Sequence, residues 1–237
     1  MKTQLIFSLM LAAASPLLAA DPKDDVTSAT TALGNAKSYA WHTTVEAGNN
    51  SRFRGGPTDG KTEKDGYTLL TVHFNDNTAQ AVIHGTNAAV KTEDNGWQST
   101  AEVLQDTGGG FNPGMMLART AQNLKTPAVE AAKLAGQAKE LTASDNSIKG
   151  DLTEEGAKAL LTFGRRGNGG TPTVADPKGT VTFWITDGKL VKYQTHVTGT
   201  VTYNGNDRQV DRTTTTEIKD VDSTTVEVPD DAKKKLE

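Results

Sequence analysis

Threonine is the residue that most constrains the fold of this chain, since it occupies 35 of the 237 positions. Its β-branched side chain is stiff at χ1 and fits the pleated surface of a sheet better than the surface of a helix. Only 13 residues are aromatic and 35% are hydrophobic, which is lean for a compact enzyme and ordinary for a thin β-rich protein. The length leaves room for two domains at most, and we expect one.

Charge and cysteine content exclude several classes of function. The formal net charge is -4 and both signs are scattered along the chain, so there is no basic surface of the kind that binds nucleic acid. The chain has no Cys. This excludes disulfides, thiolate zinc sites, thiol nucleophiles and lipidation of a Cys.

The first twenty residues have the order of a secretory signal peptide. Lys2 is basic, the stretch from Leu5 to Leu18 is apolar, and two alanines precede Asp21. The apolar stretch is too short for a membrane span. We expect cleavage before Asp21, a single domain over residues 21–237, and a location in the bacterial periplasm or outside the cell. A signal anchor that stays attached is the alternative.

Four helices are predicted from capping residues that precede apolar residues at helical spacing. In the first three, the capping residue is followed by Pro, which is favoured in a first turn. The first expected helix begins at Asp21-Pro22. The second runs from Asn112-Pro113 to about Leu124, and the third runs from Thr126-Pro127 to about Gly136. The fourth begins at Thr153 and ends before Gly164. The charged tail after Pro229 is expected to form a short, solvated helix.

Alternating apolar residues predict strands in the first half of the chain. Residues 39–45 alternate with period two, whereas Asp59-Gly60 has the chemistry of a turn. A two-residue loop at Asp76-Asn77 would place the apolar side chains of the next hairpin on one face. Its expected pairs are Phe74 with Ala79, Val72 with Ala81, and Leu70 with Ile83, and further short strands are expected at 87–92 and 96–101.

The last third of the chain is predicted to be strand and turn. Asp187-Gly188 is a strong hairpin signal between strands at 181–186 and 189–203. A four-residue loop at 204–207 sets Val201 opposite Val210, Tyr193 opposite Ile218, and Arg212 opposite Gly199 on the apolar face. We also expect a strand within 141–152, a loop over 164–179, and a last short strand at Val226 and Val228.

The common catalytic motifs are missing from the sequence. It contains no nucleophile elbow, zinc-protease helix, P-loop or dinucleotide-binding glycine motif. In the register above, His73 and His84 share a face but lie about 13 Å apart, which is too far for one metal ion. The carboxylates of Asp145, Asp151 and Glu154 lie around a helix start, where acids are favoured by the helix dipole. We therefore expect no enzyme, no metal and no cofactor; a hydrolase is the weakest of the hypotheses.

Three features point towards binding. Met115, Met116 and Leu117 begin a helix directly after the glycines at 108–110, and Met adapts to varied apolar surfaces, although packing in the core is the more common role of such a segment. Trp41 and Trp184 lie on predicted strands, where large rings fill a core or line a hollow. An Arg on an apolar face, such as Arg212, needs a partner or a ligand head group unless a twist turns it outward.

The order of these elements resembles the periplasmic lipoprotein carriers of the LolA/LolB type and the related lipid-binding lipoproteins of the LppX/LprG type. The resemblance is based on three sequence segments: residues 148–155 (IKGDLTEE), which lead into a helix, residues 183–191 (FWITDGKLV) and residues 226–232 (VEVPDDA). The resemblance spans nearly the whole chain after residue 20. The lipid-anchored members carry a Cys after the signal, so we expect this chain to be soluble rather than anchored.

The resemblance implies an α+β fold in which a strongly curved antiparallel sheet, an open half-barrel, is closed on its concave side by a few short helices. It implies an apolar cavity for a lipid or acylated protein, envelope proteins as partners, a monomer and no stable membrane insertion. We expect the cavity and its lid to be formed by Trp41, Leu70, Val72, Met115, Met116, Leu117, Trp184, Tyr193 and Arg212. The alternative is a structural, envelope-associated module whose half-barrel is filled by its own side chains.

Overall fold

The computed structural model describes residues 21–48, 56–74, 77–92, 95–105, 112–162 and 172–237. The expected signal peptide and the glycines at 108–110 lie outside these residues. The described helices are α1 Pro22–Asn35, α2 Thr100–Gln105, α3 Pro113–Gln122, α4 Pro127–Gln137, α5 Glu154–Thr162 and α6 Asp230–Lys233. The strands are β1 Ser38–Ala47, β2 Thr58–Glu63, β3 Thr68–Phe74, β4 Asn77–His84, β5 Asn87–Lys91, β6 Gln98–Ser99, β7 Thr142–Ser144, β8 Ser147–Asp151, β9 Thr173–Thr186, β10 Lys189–Tyr203 and β11 Asn206–Lys219.

All eleven described strands form one antiparallel sheet in the order β6-β5-β4-β3-β2-β1-β11-β10-β9-β8-β7. The first long strand, β1, pairs with the last, β11, so two meanders from opposite ends of the chain join at the middle of the sheet. The sheet remains open, with the short strands β6 and β7 at its edges. The expected α+β class with an open antiparallel sheet and short helices is confirmed.

The four predicted helices are confirmed, and side-chain caps precede α1, α3 and α5, whereas Thr126 makes no capping hydrogen bond before α4. Asp21 Oδ1 accepts a hydrogen bond from the Lys23 N–H at 2.9 Å, and Asn112 Oδ1 accepts one from Met115 at 3.0 Å. Thr153 caps α5 in the same way. Helix α2 was not predicted, since a strand was expected at 96–101. It begins with a reciprocal capping pair between Ser99 and Glu102.

The registers predicted for the hairpins at 70–83 and 193–218 are wrong by two residues, whereas the Asp187-Gly188 hairpin is confirmed, since Thr186 pairs with Lys189. Val72 pairs with Ala79, not Ala81, because β3 ends at Phe74 and β4 already begins at Asn77. In the second hairpin, Asn204 (φ 49°) and Gly205 (φ 73°) form a two-residue loop with positive φ at both positions.

The remaining pairs of the two hairpins follow this two-residue shift. They are Phe74 with Asn77, Leu70 with Ala81, Thr68 with Ile83, Val201 with Arg208, Tyr193 with Thr216 and Arg212 with Val197. A shift of two residues leaves each side chain on its predicted face, because side chains alternate with period two.

Several other expectations about strands and loops are wrong. Residues 59 and 60 lie inside β2 instead of forming a turn, and β9 already begins at Thr173 within the expected loop. The strand expected within 141–152 is a hairpin of β7 and β8, since Asp145 adopts φ 48° between them. Val226 and Val228 belong to no strand, and Val226 is nevertheless buried.

The helices α1, α3, α4 and α5 cover one face of the sheet, called the inner face here, and share one apolar core with it. The largest fully buried side chains of this inner core are Phe183, Leu70, Leu117, Leu134, Leu161 and Leu190. A second, smaller core lies on the opposite, outer face, where the C-terminal tail covers β3 to β5. No helix in the described ranges is both long and apolar enough to cross a membrane.

Candidate functional site

Six of the nine predicted site residues meet in the inner core. Trp41, Leu70, Leu117 and Tyr193 are each at most 5% exposed, and Val72 and Met115 pack against them. These six side chains therefore belong to one apolar core between the sheet and the helices.

Trp41 illustrates how closely the inner core is packed. Its ring centroid lies 5.8 Å from that of Tyr39, and its indole covers Gly60 on β2 so closely that a Cβ at residue 60 would overlap the ring. The glycine is thus required by the approach of the ring to the backbone rather than by a turn.

Trp184 faces a different space from Trp41. It follows the fully buried Phe183 on β9 and pairs across the sheet with Lys192, so it points to the outer face. The Lys192 ammonium lies 4.0 Å from the centroid of the Trp184 ring, which is a cation–π contact. The two tryptophans therefore do not line one hollow together.

Met116 and Arg212 lie at the margin of the inner core. Met116 is partly exposed on α3 next to the buried Leu117. Arg212 is partly buried, and its Nη2 donates a hydrogen bond of 2.6 Å to the Leu160 carbonyl in the last turn of α5. A backbone carbonyl of α5 is thus one partner of this Arg on the apolar face.

A polar pair crosses the inner core between α4 and β10. The Tyr193 hydroxyl donates a hydrogen bond of 2.6 Å to Glu130 Oε2. Burial raises the pKa of Glu130 above its ordinary value, although the hydrogen bond from Tyr193 and the charges of Lys125 and Lys133 oppose this. Burial, reinforced by the neighbouring Glu130, raises the pKa of Tyr193 well above its usual value. At neutral pH the tyrosine is therefore a hydrogen-bond donor.

An open groove of about 990 Å³ lies at one end of the sheet. Three isoleucines of the inner face, Ile148, Ile185 and Ile218, come from different strands and form its apolar floor, whereas Trp184 lines it from the outer face. Val191, 38% exposed, lies at the β-bulge between Leu190 and Lys192 in β10 and also lines the groove. A bulge reorients side chains locally, which explains why an apolar side chain is exposed here.

Polar groups surround this apolar floor. Asp25 and Ser28 come from α1, Asp145 from the β7–β8 turn and Asp187 from the β9–β10 turn. Lys219 lies 3.6 Å from Glu217 on the same rim. The sequence analysis identified Trp184 but not the other lining residues. The two tight turns were the available signal, because antiparallel strands bring the turns that join them to one end of the sheet.

Three of the described His side chains, His42, His73 and His196, lie on the outer face beside an Asp carboxylate. His42 Nδ1 and His73 Nε2 lie 2.7 and 2.9 Å from the two carboxylate oxygens of Asp59. Burial opposes ionisation of Asp59, but the bonds from both histidines outweigh it and lower the pKa of the carboxyl group. Within the described residues, no group of three His, Asp or Glu side chains is arranged to hold a metal ion.

Comparison with known proteins returns structural similarity alone. No protein-family model and no curated protein matches the sequence. LppX, a lipoprotein from Mycobacterium tuberculosis, is 12% identical over 88% of this chain and 98% of its own, with a TM-score of 0.47. LprF from Mycobacterium bovis is 14% identical over 89% of this chain and 97% of its own, with a TM-score of 0.45.

A LolA superfamily protein from Nitrosomonas europaea is 9% identical over 90% of this chain and 97% of its own, with a TM-score of 0.35. The resemblance to LolA-like and LppX-like proteins that the sequence indicated therefore recurs among solved structures. At such scores it supports no statement about ligand or activity.

Proposed function

We propose that this protein is a non-enzymatic carrier or binding protein for a lipid, an acylated protein or another apolar ligand. The observation that carries the proposal is the continuity between groove and interior. Ile148 and Ile218 line the groove and are also members of the inner core, and Ile185 packs against that core. An apolar ligand in the groove would thus extend an existing apolar interior. Burial of an acyl chain contributes about 0.8 kcal/mol per CH₂ without special chemistry.

Helix α3 is proposed as the lid that gives access to the inner core. Leu117 anchors it to the sheet, whereas Met115 is only partly buried and Met116 is partly exposed. Methionine repacks readily against different apolar partners. If α3 moved outward, the walls beneath it would include Leu70 and Val72, with Trp41, Tyr193 and Arg212 farther along the sheet. The predicted signal peptide would direct such a carrier to the cell envelope or the medium.

A neutral fluorescent probe with an acyl chain tests the proposal. The wild type should bind it saturably, with emission shifted to the blue as the probe leaves water. Val191→Asp should weaken binding through the groove by more than about tenfold, or about 1.4 kcal/mol, and Met116→Asp should do so through the lid. The matched control is Val129→Asp, since Val129 is a 55% exposed valine on α4 outside the groove lining. The control should bind like the wild type.

The close packing of the inner core favours a second candidate, a structural envelope module without a ligand. If the protein is such a module, the wild type should show no saturable binding, and Met116→Asp should lose its fold rather than its ability to bind. Thermal unfolding of each variant, measured beside the titrations, separates these outcomes. The described residues present no nucleophile with an adjacent base in the groove, and we propose no reaction.

A further inference from the structure

We propose that the groove selects cationic amphiphiles, that is, molecules with an apolar body and an ammonium or guanidinium head group. This proposal rests on the proposed binding function and adds the chemical class of the ligand. Three observations support it: the apolar floor, the uncompensated carboxylates on the rim, and the position of Lys192 over Trp184.

The floor fits the apolar part of such a ligand. Ile148 and Ile218 are 8% exposed, and Val191 is 38% exposed. A volume of about 990 Å³ lies at the upper end of the range for small-molecule sites, about 300–1,000 Å³. An alkyl chain of moderate length can lie there without any displacement of a helix.

The rim fits a positive head group. The groove lining contains four carboxylates and two lysines, so its formal charge is -2. Among the described residues, Lys219 pairs with Glu217 and Lys192 lies over Trp184. Asp25, Asp145 and Asp187 are exposed, and no described side chain forms an ion pair or hydrogen bond with any of their carboxylates. The charge left without a partner on the rim is therefore negative.

Lys192 shows where a ligand cation would lie. Its ammonium is 4.0 Å from the centroid of the Trp184 ring, within the distance at which the ring quadrupole attracts a cation. A quaternary ammonium is a more weakly hydrated cation than a lysine ammonium and would take the same position after Lys192 swings away. The Trp184 ring then forms one wall of the head-group site, and the free carboxylates lie elsewhere on the rim of the same groove.

Three amphiphiles with one tail test the selectivity: octyltrimethylammonium, octyl glucoside and octyl sulfate, each below its micelle concentration. Isothermal titration calorimetry at low salt should give affinities in that order, with the cation at least about tenfold tighter than the glucoside. The preference should shrink in 1 M NaCl, where the Debye length is about 3 Å. The Trp184 indole N–H resonance should shift on binding, while that of the buried Trp41 should not.

Variants separate charge from apolar contact. The triple variant Asp25→Asn, Asp145→Asn, Asp187→Asn should reduce the preference below about threefold and leave octyl glucoside binding unchanged. Asn tolerates the positive φ of residues 145 and 187, so both turns should persist. The control is Asp65→Asn, another exposed turn residue with φ 56° that lies outside the groove lining. Lys192→Leu should strengthen binding of the ammonium.

The outcomes of these experiments distinguish cation selectivity from the proposed binding function on which it rests. Equal binding of all three amphiphiles, or an unchanged preference in the triple variant, overturns cation selectivity and leaves an apolar binding protein. Absence of binding by every probe overturns both proposals. A shift of Trp41 rather than Trp184 would place the ligand in the inner core instead of the groove and would also contradict the proposal.

Discussion

The hydrogen bond between Tyr193 and Glu130 shows how one residue pair links α4 to the sheet. Tyr193 is 3% exposed, so its hydroxyl requires an acceptor inside the protein. Glu130 provides it from the first turns of α4, where the helix dipole also favours a carboxylate. Nothing in the local sequence indicates this contact, because the two residues are 63 positions apart.

Removing the charge of Glu130 without removing its hydrogen-bonding capacity should not destabilise the protein. Since the folded pKa of Glu130 is raised, the charged form is disfavoured in the folded state. That penalty is absent below the unfolded pKa, about 4.3, and is fully present once the pH exceeds the folded pKa. Glu130→Gln should therefore gain stability relative to the wild type between pH 4 and pH 7. Urea unfolding across this range measures the difference.

Two companion variants control for the hydrogen bond itself. Glu130→Ala leaves the buried Tyr193 hydroxyl without an acceptor and should cost about 1–3 kcal/mol at pH 7. Tyr193→Phe should also destabilise the protein, because the carboxylate then loses its donor. A Glu130→Gln variant that is destabilised as strongly as Glu130→Ala would mean that the charge stabilises the fold.

At the scale of elements, β2 shows why a turn signal can lie inside a strand. Asp59-Gly60 is typical of a turn in sequence, yet Gly60 pairs with Trp41 on one side and Leu70 on the other. The glycine leaves room for the indole ring, and Asp59 points to the outer face, where it meets two histidines. Tertiary contacts therefore explain why two residues that are typical of a turn lie inside this strand.

A methyl group at residue 60 should therefore destabilise the strand. Gly60→Ala forces the Trp41 ring away from its position and should cost about 1–3 kcal/mol, the usual range for overpacking. Gly96→Ala is the matched control, since a Cβ there meets no atom within 4 Å and φ is not in the positive range. Chemical denaturation of the two variants should differ accordingly, and equal stabilities would show that Trp41 has room to move.

At the scale of the whole molecule, the C-terminal tail connects distant parts of the sheet. Ala232 is fully buried and Leu236 is 9% exposed, where they cover Val82 and Ala89 on the outer face. Asn87 Nδ2 donates to the Leu236 carbonyl at 2.7 Å, and the Lys235 ammonium lies 2.8 Å from Glu102. The expectation of a solvated tail is therefore wrong: its charged residues are exposed, but its apolar residues complete the second core.

Truncating the apolar anchor of the tail should destabilise the whole protein. Leu236→Ala should cost about 2 kcal/mol, at the low end for a buried leucine because the chain end can adjust. Lys234→Ala should change the stability by less than about 0.5 kcal/mol, since Lys234 is exposed just after α6 and forms its ion pair with the nearby Asp231. Thermal unfolding compares the two. Similar unfolding temperatures would mean that the tail contributes little to the fold.

The sequence by itself determined the elements whose hydrogen bonds are local. Caps such as Asp21 and Asn112 satisfy backbone groups within three residues, so their effect is visible in a short stretch of sequence. The alternation of side chains also determined which residues face the inner core, because a two-residue error in register leaves the facing unchanged. The α+β class with an open antiparallel sheet was implied by the resemblance to LolA-like and LppX-like carriers, not by these local patterns.

Only the tertiary structure decided the register of the hairpins, the position of the tail and the composition of the candidate site. Ile148, Ile185 and Ile218 come from three strands that are far apart in the chain, and their meeting in one groove depends on pairings that no local hydrogen bond specifies. The opposite facing of Trp41 and Trp184 likewise follows from the registers that connect β1 to β9 through β11 and β10. Local energetics determine where elements begin and end, whereas contacts between distant residues determine which surface can bind a ligand.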